Sequence, residues 1–219
     1  MALSLFEELL LIAIDDDKGT VASSVSGHLP YGLAGALLAE LALQEKIYID
    51  KGRLVLADTS QSGNDIEAEA LQIIAASKKP RKVQHWINSL GSTKYARRVA
   101  ERLAEKGLVT IEERRILWII PYDAYPQQDA SAKYWVKQRL RSVALGGVAP
   151  SARDVTLLSL VKSCDMLGLV FTRDERKTAR KEIDALVKRE PFGDALRTTL
   201  EEIDSAAAAV IVAASISYS

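Results

Sequence analysis

Between Leu33 and Leu43 the chain reads LAGALLAELAL, with Glu40 as its only charge. Such a segment is apolar in nearly every direction around a helix, the pattern of a helix covered by neighbours on several sides. The helix is expected to start near Tyr31, because Pro30 biases its predecessor away from helical geometry. KIYID and RLVLAD then alternate apolar and polar residues on either side of Asp50, Lys51 and Gly52. That alternation is a hairpin signature in which Gly52 supplies positive φ. Helix and hairpin form one wing-like unit, and the rest of the chain reads as packing around it.

Upstream, Ser4 is placed to cap a helix whose Phe6, Leu9, Leu10 and Ala13 recur at helical spacing. Asp15, Asp16, Asp17, Lys18 and Gly19 end that helix in a turn, and Thr20 to Ser24 reads as a short extended segment. Downstream of a loop at 62–64, Ile66, Ala70, Ile73 and Ile74 line one face of a helix closed by Pro80. A short helix from Val83 to Leu90 carries Trp86 at helical spacing with both ends, which places Trp86 in the core. Ser92 or Thr93 caps the next helix, which runs to Lys106 with Gly107 in the C′ position. Leu108 to Ile111 and Ile116 to Ile120 read as strands joined by Glu112 to Arg115, a second helix-plus-hairpin unit. Tyr122 to Ala132 is a polar loop, and helices follow at 133–145, 151–170, 173–188 and 192–217. The pattern predicts a mainly α fold: a compact multi-helix single domain over residues 1–219 with two small β-hairpins.

Composition narrows the function classes. Of 219 residues, 48% are hydrophobic and 26% charged, enough for one large core. Lys plus Arg and Asp plus Glu both total 29, so nothing global draws the chain to nucleic acid or an anionic membrane, and any such binding is local. Cys164 is the only cysteine, which excludes an internal disulfide and multi-Cys metal sites and fits a reducing cytoplasm. The apolar N-terminus lacks a basic leader region and carries Glu7 and Glu8, so it reads as a helix. The apolar C-terminal run of about fifteen residues is shorter than the roughly 20 a membrane span needs, and reads as a buried terminal helix. His28 and His85 are the only histidines, and no Gly-rich phosphate loop follows a strand. No catalytic constellation, metal or cofactor is expected. A winged-helix mode of DNA binding fails on side chains, because the central helix offers no basic or amide group for base edges. In the second unit, Arg97, Arg98 and Arg102 are interleaved with Glu101 and Glu105.

Five strings, LSLFEELLLIAI, GLAGALLAELAL, VQHWINSL, ERLAEKGLVT and VKQRL, resemble in order and spacing those of the Golgi phosphoprotein 3 family. The resemblance covers nearly the whole chain and implies a mostly helical, non-enzymatic peripheral membrane protein. In eukaryotic members it implies phosphatidylinositol 4-phosphate binding at Golgi membranes and recruitment of glycosyltransferase tails and coat components. In ungapped register the family's headgroup positions fall on Val25, Ala34, Thr93 and Ala96. Alanine and valine cannot make the charge-assisted hydrogen bonds that hold a phosphate monoester. Only Met1, Ala2 and Leu3 precede Ser4, where the family carries a basic tail. The expectation is a stripped, bacterial version of the fold.

Three surfaces are candidates for binding. A one-residue slip places Lys94 and Arg97 at the family's cationic positions, rotating the helix by about 100°. Lys94, Arg97, Glu101 and Glu105 then oppose the apolar face of Tyr95, Val99 and Leu103, with Arg98 at the flank. This face is either solvated, with Arg97 paired to Glu101 for roughly 0.3 to 0.5 kcal/mol, or a lipid and anion site formed by Lys94, Arg97 and Arg98. The second surface, Lys78, Lys79, Pro80, Arg81 and Lys82 with His85 and Trp86 close behind, is solvated loop charge or an anionic membrane contact. In the third, Ile116 to Ile120 presents five consecutive apolar side chains, which cannot all lie on one face of a ribbon. The resemblance implies that this hairpin mediates self-association, which makes Ile116, Trp118 and Ile120 contacts to a second copy or to a membrane. The expected protein is therefore a cytoplasmic adaptor, soluble or peripheral on the inner membrane face. Its partners would be anionic lipid, protein segments and further copies of itself, not nucleic acid. The alternative is a soluble protein-binding module with no lipid role.

Overall fold

α2 (Leu29–Leu43) is buried from Gly32 to Ala42, as a helix without a polar face must be. The computed structural model describes residues 2–58, 64–116, 119–189 and 194–217. α1 (Leu5–Ala13), α4 (Val83–Leu90), α5 (Thr93–Glu105), α7 (Ala152–Ser163) and α10 (Asp194–Ser217) all pack on α2. One hydrophobic cluster runs through them, from Leu5 to Ile211. α2 starts at Leu29, two residues before the expected Tyr31, and Pro30 sits in its first turn. There the missing N–H costs nothing, because that group has no intrahelical partner in any helix.

α1 is buried on every side, including Glu7 and Glu8. Ser4 stands at the expected N-cap, and its N–H donates to Glu7 Oε2 at 2.7 Å. Both buried charges of this helix find long-range partners, because an unpaired ion in a core is too costly to keep. Lys106 donates to both Glu7 oxygens at 2.6 Å, and Arg139 donates to Glu8 at 2.9 Å. After α1 the expected extended segment shrinks to a single bridge between Ile14 and Val21.

The first hairpin forms as expected. β1 (Ile47–Asp50) and β2 (Arg53–Leu56) pair antiparallel with Ile47 opposite Leu56 and Asp50 opposite Arg53. Lys51 and Gly52 close the turn, both at positive φ. A third strand, β3 (Arg81–Lys82), joins the edge of β2 beyond α3 (Asp65–Ala75), so part of the basic segment read as a loop is sheet.

The second hairpin is displaced along the sequence. β4 (Glu112–Ile116) and β5 (Ile120–Ala124) put the four charged residues expected in the turn, Glu112 to Arg115, into a strand, and Tyr122 to Ala124 is strand rather than loop. Val109 instead bridges Gln127, and Thr110 N–H donates to the Pro126 carbonyl at 2.9 Å, forming the base of the ribbon. A ribbon standing away from the core needs no apolar alternation, so hydrophobic pattern cannot find its register. Leu117 and Trp118 lie outside the described residues, as do the side chains of Ile116 and Ile120, whose backbones pair.

α6 (Ala130–Ala144) follows, and the long helix expected over 151–170 is broken. α7 ends at Ser163 and α8 (Leu167–Val170) starts afresh, with Asp165 between them at φ 56°. Met166 N–H returns to the Val161 carbonyl at 2.8 Å, satisfying an orphan acceptor of α7 at a left-handed cap. α9 (Glu175–Arg189) and α10 complete a mainly α fold with two small antiparallel sheets. Trp86 is 3% exposed, a core residue as its spacing implies.

Candidate functional site

α5 buries Tyr95, Val99 and Leu103 and turns its cations outward between two acidic banks. On one side Arg98 donates to Asp65 at 2.9 Å and also to Glu69, and Arg102 donates to Asp65 at 2.7 Å. On the other, Arg97 Nη1 lies 3.0 and 3.2 Å from the two Asp123 carboxylate oxygens, and its Nε lies 3.4 Å from Glu101. The Asp123 charge, then Glu101, raises Arg97 further above its ordinary range. Burial opposes ionisation of Asp65, but hydrogen bonds and charge from Arg98 and Arg102 outweigh it and hold its carboxyl below the usual range. The expected i,i+4 pair of Arg97 and Glu101 is therefore present, as one part of a larger ionic lattice.

The three residues proposed for anion binding thus part company. Arg97 turns toward β5, Arg98 turns toward α3, and Lys94 is exposed with no ion-pair partner among the described residues. An incoming phosphate would have to displace carboxylates from both arginines. Of the four positions the family register marks, Val25 and Ala34 are fully buried, Ala96 is half-buried and Thr93 is exposed. Apart from Glu101, the acidic partners lie 26 or more residues from their arginines. Asp65 and Glu69, four apart on α3, were the one local sign of an acidic stripe.

The second basic cluster is different. Lys51, Arg53, Lys78, Lys79, Arg81 and Lys82 are all exposed, and β3 pairing places Lys82 opposite Arg53. Arg53 Nη1 donates to the Pro80 carbonyl at 3.0 Å, tying the hairpin turn to the basic segment.

On the second hairpin, Ile119 is 79% exposed. Tyr134 and Trp135, in edge contact on the outer side of α6, are also exposed. A cleft of about 430 Å³ opens between α7, α9 and α10, lined by Val155, Leu160, Leu200, Ser159 and Asp204 among others. Cys164 is fully buried, and burial, with Asp204 nearby, pushes its thiol up to about 12, so it is not a thiolate nucleophile at neutral pH. Among the described residues no group of three or more His, Cys, Asp or Glu side chains is arranged to hold a metal.

A model of Golgi phosphoprotein 3 (GPP34) matches residues 5–203, from the first residue of α1 into α10. The chain belongs to the Golgi phosphoprotein 3 family. It is also similar to vacuolar protein sorting-associated protein 74 of Eremothecium gossypii, with 29% identity over 164 residues, covering 64% of this chain and 49% of that protein. The chain spans about half the length of the curated relative it matches. Among the described residues of this Golgi phosphoprotein 3 family member, no helix is long and apolar enough to cross a membrane.

Proposed function

We propose that this chain is a non-enzymatic adaptor that works at a membrane surface from the cytoplasmic side, meeting anionic lipid without a stereospecific phosphatidylinositol 4-phosphate pocket. The observation that carries the reading is the family match, which extends over nearly the whole fold. The absence of a selective pocket is supported by the neutralised α5 cations and by buried Val25 and Ala34, which have no donor for a phosphate. Of the α5 set, Lys94 is open to an anion, and Arg97 and Arg98 join it only where lipid phosphate displaces Asp123, Asp65 and Glu69.

Co-sedimentation with vesicles of neutral, anionic and phosphatidylinositol 4-phosphate-containing composition, at low and physiological salt, tests this. The expected result is binding to any anionic vesicle, lost as salt rises. Binding that requires the phosphoinositide and resists salt would overturn the non-selective part. Binding to none would leave a protein-binding module without a lipid role. Self-association through the β4–β5 hairpin belongs to the same reading, supported by the exposure of Ile119 at its tip.

A further inference from the structure

We propose that the β1–β2 turn and the segment from Lys78 to Lys82 form the face on which this chain docks to an anionic lipid bilayer. The inference rests on the peripheral-membrane reading above. β3 sets Lys82 directly opposite Arg53 and Arg81 opposite Leu54. Lys51 stands in the turn, and Lys78 and Lys79 lead into β3, which gathers six exposed cations at one edge of the sheet. Like charges placed directly opposite on neighbouring strands repel.

The same chain relieves such repulsion along α5 and at its C-cap, where Arg97, Arg98, Arg102 and Lys106 have carboxylate partners. Among the described residues, none of the six sheet-edge cations is in an ion pair. Two acids stand near. Asp50 is opposite Arg53, and Glu202 Oε2 lies 3.8 Å from where a Cβ on Gly52 would sit. The balance remains positive, in a chain whose net charge is zero.

The shape of the patch selects the partner. The Arg53 bond to the Pro80 carbonyl holds the two halves together before any ligand arrives. The adjoining cleft of about 300 Å³ has both Lys82 and Glu202 in its wall, so it offers a single phosphate no surplus of positive charge. Tyr48, 43% exposed, shares the sheet face of Arg53 and Lys82, because it lies two residues from Asp50 in β1. Arg53 and Lys82 on the face of one exposed tyrosine, with Lys78, Lys79 and Arg81 along the same edge, match a laterally continuous layer of headgroups, where amphipathic rings settle.

α9 is the rival face. It exposes Lys177, Arg180 and Lys181, but Glu182 follows them and Asp184 is already paired with Lys162.

The test uses the full chain and vesicles of phosphatidylcholine, alone or mixed with phosphatidylglycerol. Wild type is expected to bind only the mixed vesicles. Each neutralised cation should weaken binding about fivefold, so K78Q/K79Q/R81Q should lose about a hundredfold. K78Q/K79Q, which leaves β3 untouched, should lose about 25-fold. K177Q/R180Q/K181Q should bind as wild type, and thermal melting followed by circular dichroism should match wild type for all three. If wild type binds and the Lys78 variants bind equally well, the docking face is wrong while the membrane reading stands. A loss confined to the α9 variant has the same meaning. If wild type binds no vesicle, the membrane reading itself fails and the face with it. Tighter binding to duplex DNA than to mixed vesicles, lost in the same variants, would overturn the bilayer as the occupant.

Discussion

Arg153 of α7 places Nη1 3.0 Å from both carboxylate oxygens of Glu40, the one charge on the central helix. The same carboxylate accepts the Leu5 N–H at 2.6 Å, and Arg153 also donates to the Leu3 carbonyl. One ion pair therefore joins α2, α7 and the start of α1. Glu40 is 8% exposed, so removing it strands a buried donor and a half-buried guanidinium. Glu40→Ala is expected to lower stability by about 3 kcal/mol. Glu40→Gln, which keeps an acceptor for Leu5, should cost less. Urea denaturation midpoints measure both, and a change under about 0.5 kcal/mol for the alanine variant would show that the junction holds without its ion pair.

The α3–α5 lattice predicts an acid-side loss of stability. Asp65 is held below its ordinary range by Arg98 and Arg102, against the opposing effect of burial. A carboxyl whose folded pKa lies below its unfolded value contributes stability above the unfolded value, near 3.9, and loses it as pH falls through the folded one. Stability measured from pH 6 down to pH 2 should therefore fall more steeply for wild type than for Asp65→Asn. The two curves should converge at the acid end. Parallel curves would remove Asp65 from the acid response.

α2 and α7 meet without space for a single methyl group. A Cβ on Gly32 would collide with the Cys164 Sγ. Gly32→Ala is expected to destabilise by about 1 to 3 kcal/mol through overpacking. Adding Cys164→Ala should recover part of that loss, giving a favourable coupling in a double-mutant cycle. Strict additivity would mean that the backbone shifts and the sulfur is not the obstacle. The Cys164 thiol, buried and raised to about 12, should also resist alkylation at pH 8 until the chain unfolds.

The exposed tip of the second hairpin predicts a change in mass with little change in fold. Ile119→Glu introduces a charge at a site 79% exposed, so monomer stability should move by less than about 0.5 kcal/mol. Light scattering of wild type should give a mass above 24.0 kDa that falls to the monomer value in the variant. A wild-type mass of one chain would remove the hairpin as a self-association device.

The helices were legible because their faces repeat, and the caps were legible because they use local chemistry. The Ser4 cap directly precedes the helix it starts, so a few consecutive residues suffice to see it. The second hairpin was misplaced because its strand residues, Glu112 to Arg115, face water on a ribbon, where alternation carries no signal. β3 escaped notice for a related reason, since two exposed cations form a strand only because β2 offers an unpaired edge. The break at Asp165 was hidden because the apolar run continues through Cys164 and Met166, and both halves are buried.

By itself, the sequence determined that the segment from Leu33 to Leu43 would be the centre of a mainly α fold, because a helix apolar at every angle has no face to give to water. It also determined that charge could act only locally, since the totals cancel. Tertiary structure alone decided which cations are left to act. Local spacing could see Glu101 beside Arg97, but Asp123 lies 26 residues away and the Asp65 that binds Arg98 lies 33 away. The coulombic energy of a cation depends on distance in space, which only packing of α3, α5 and β5 sets. Among the described residues, the same packing left the cations from Lys78 to Lys82 without carboxylate partners and placed Lys82 against Arg53.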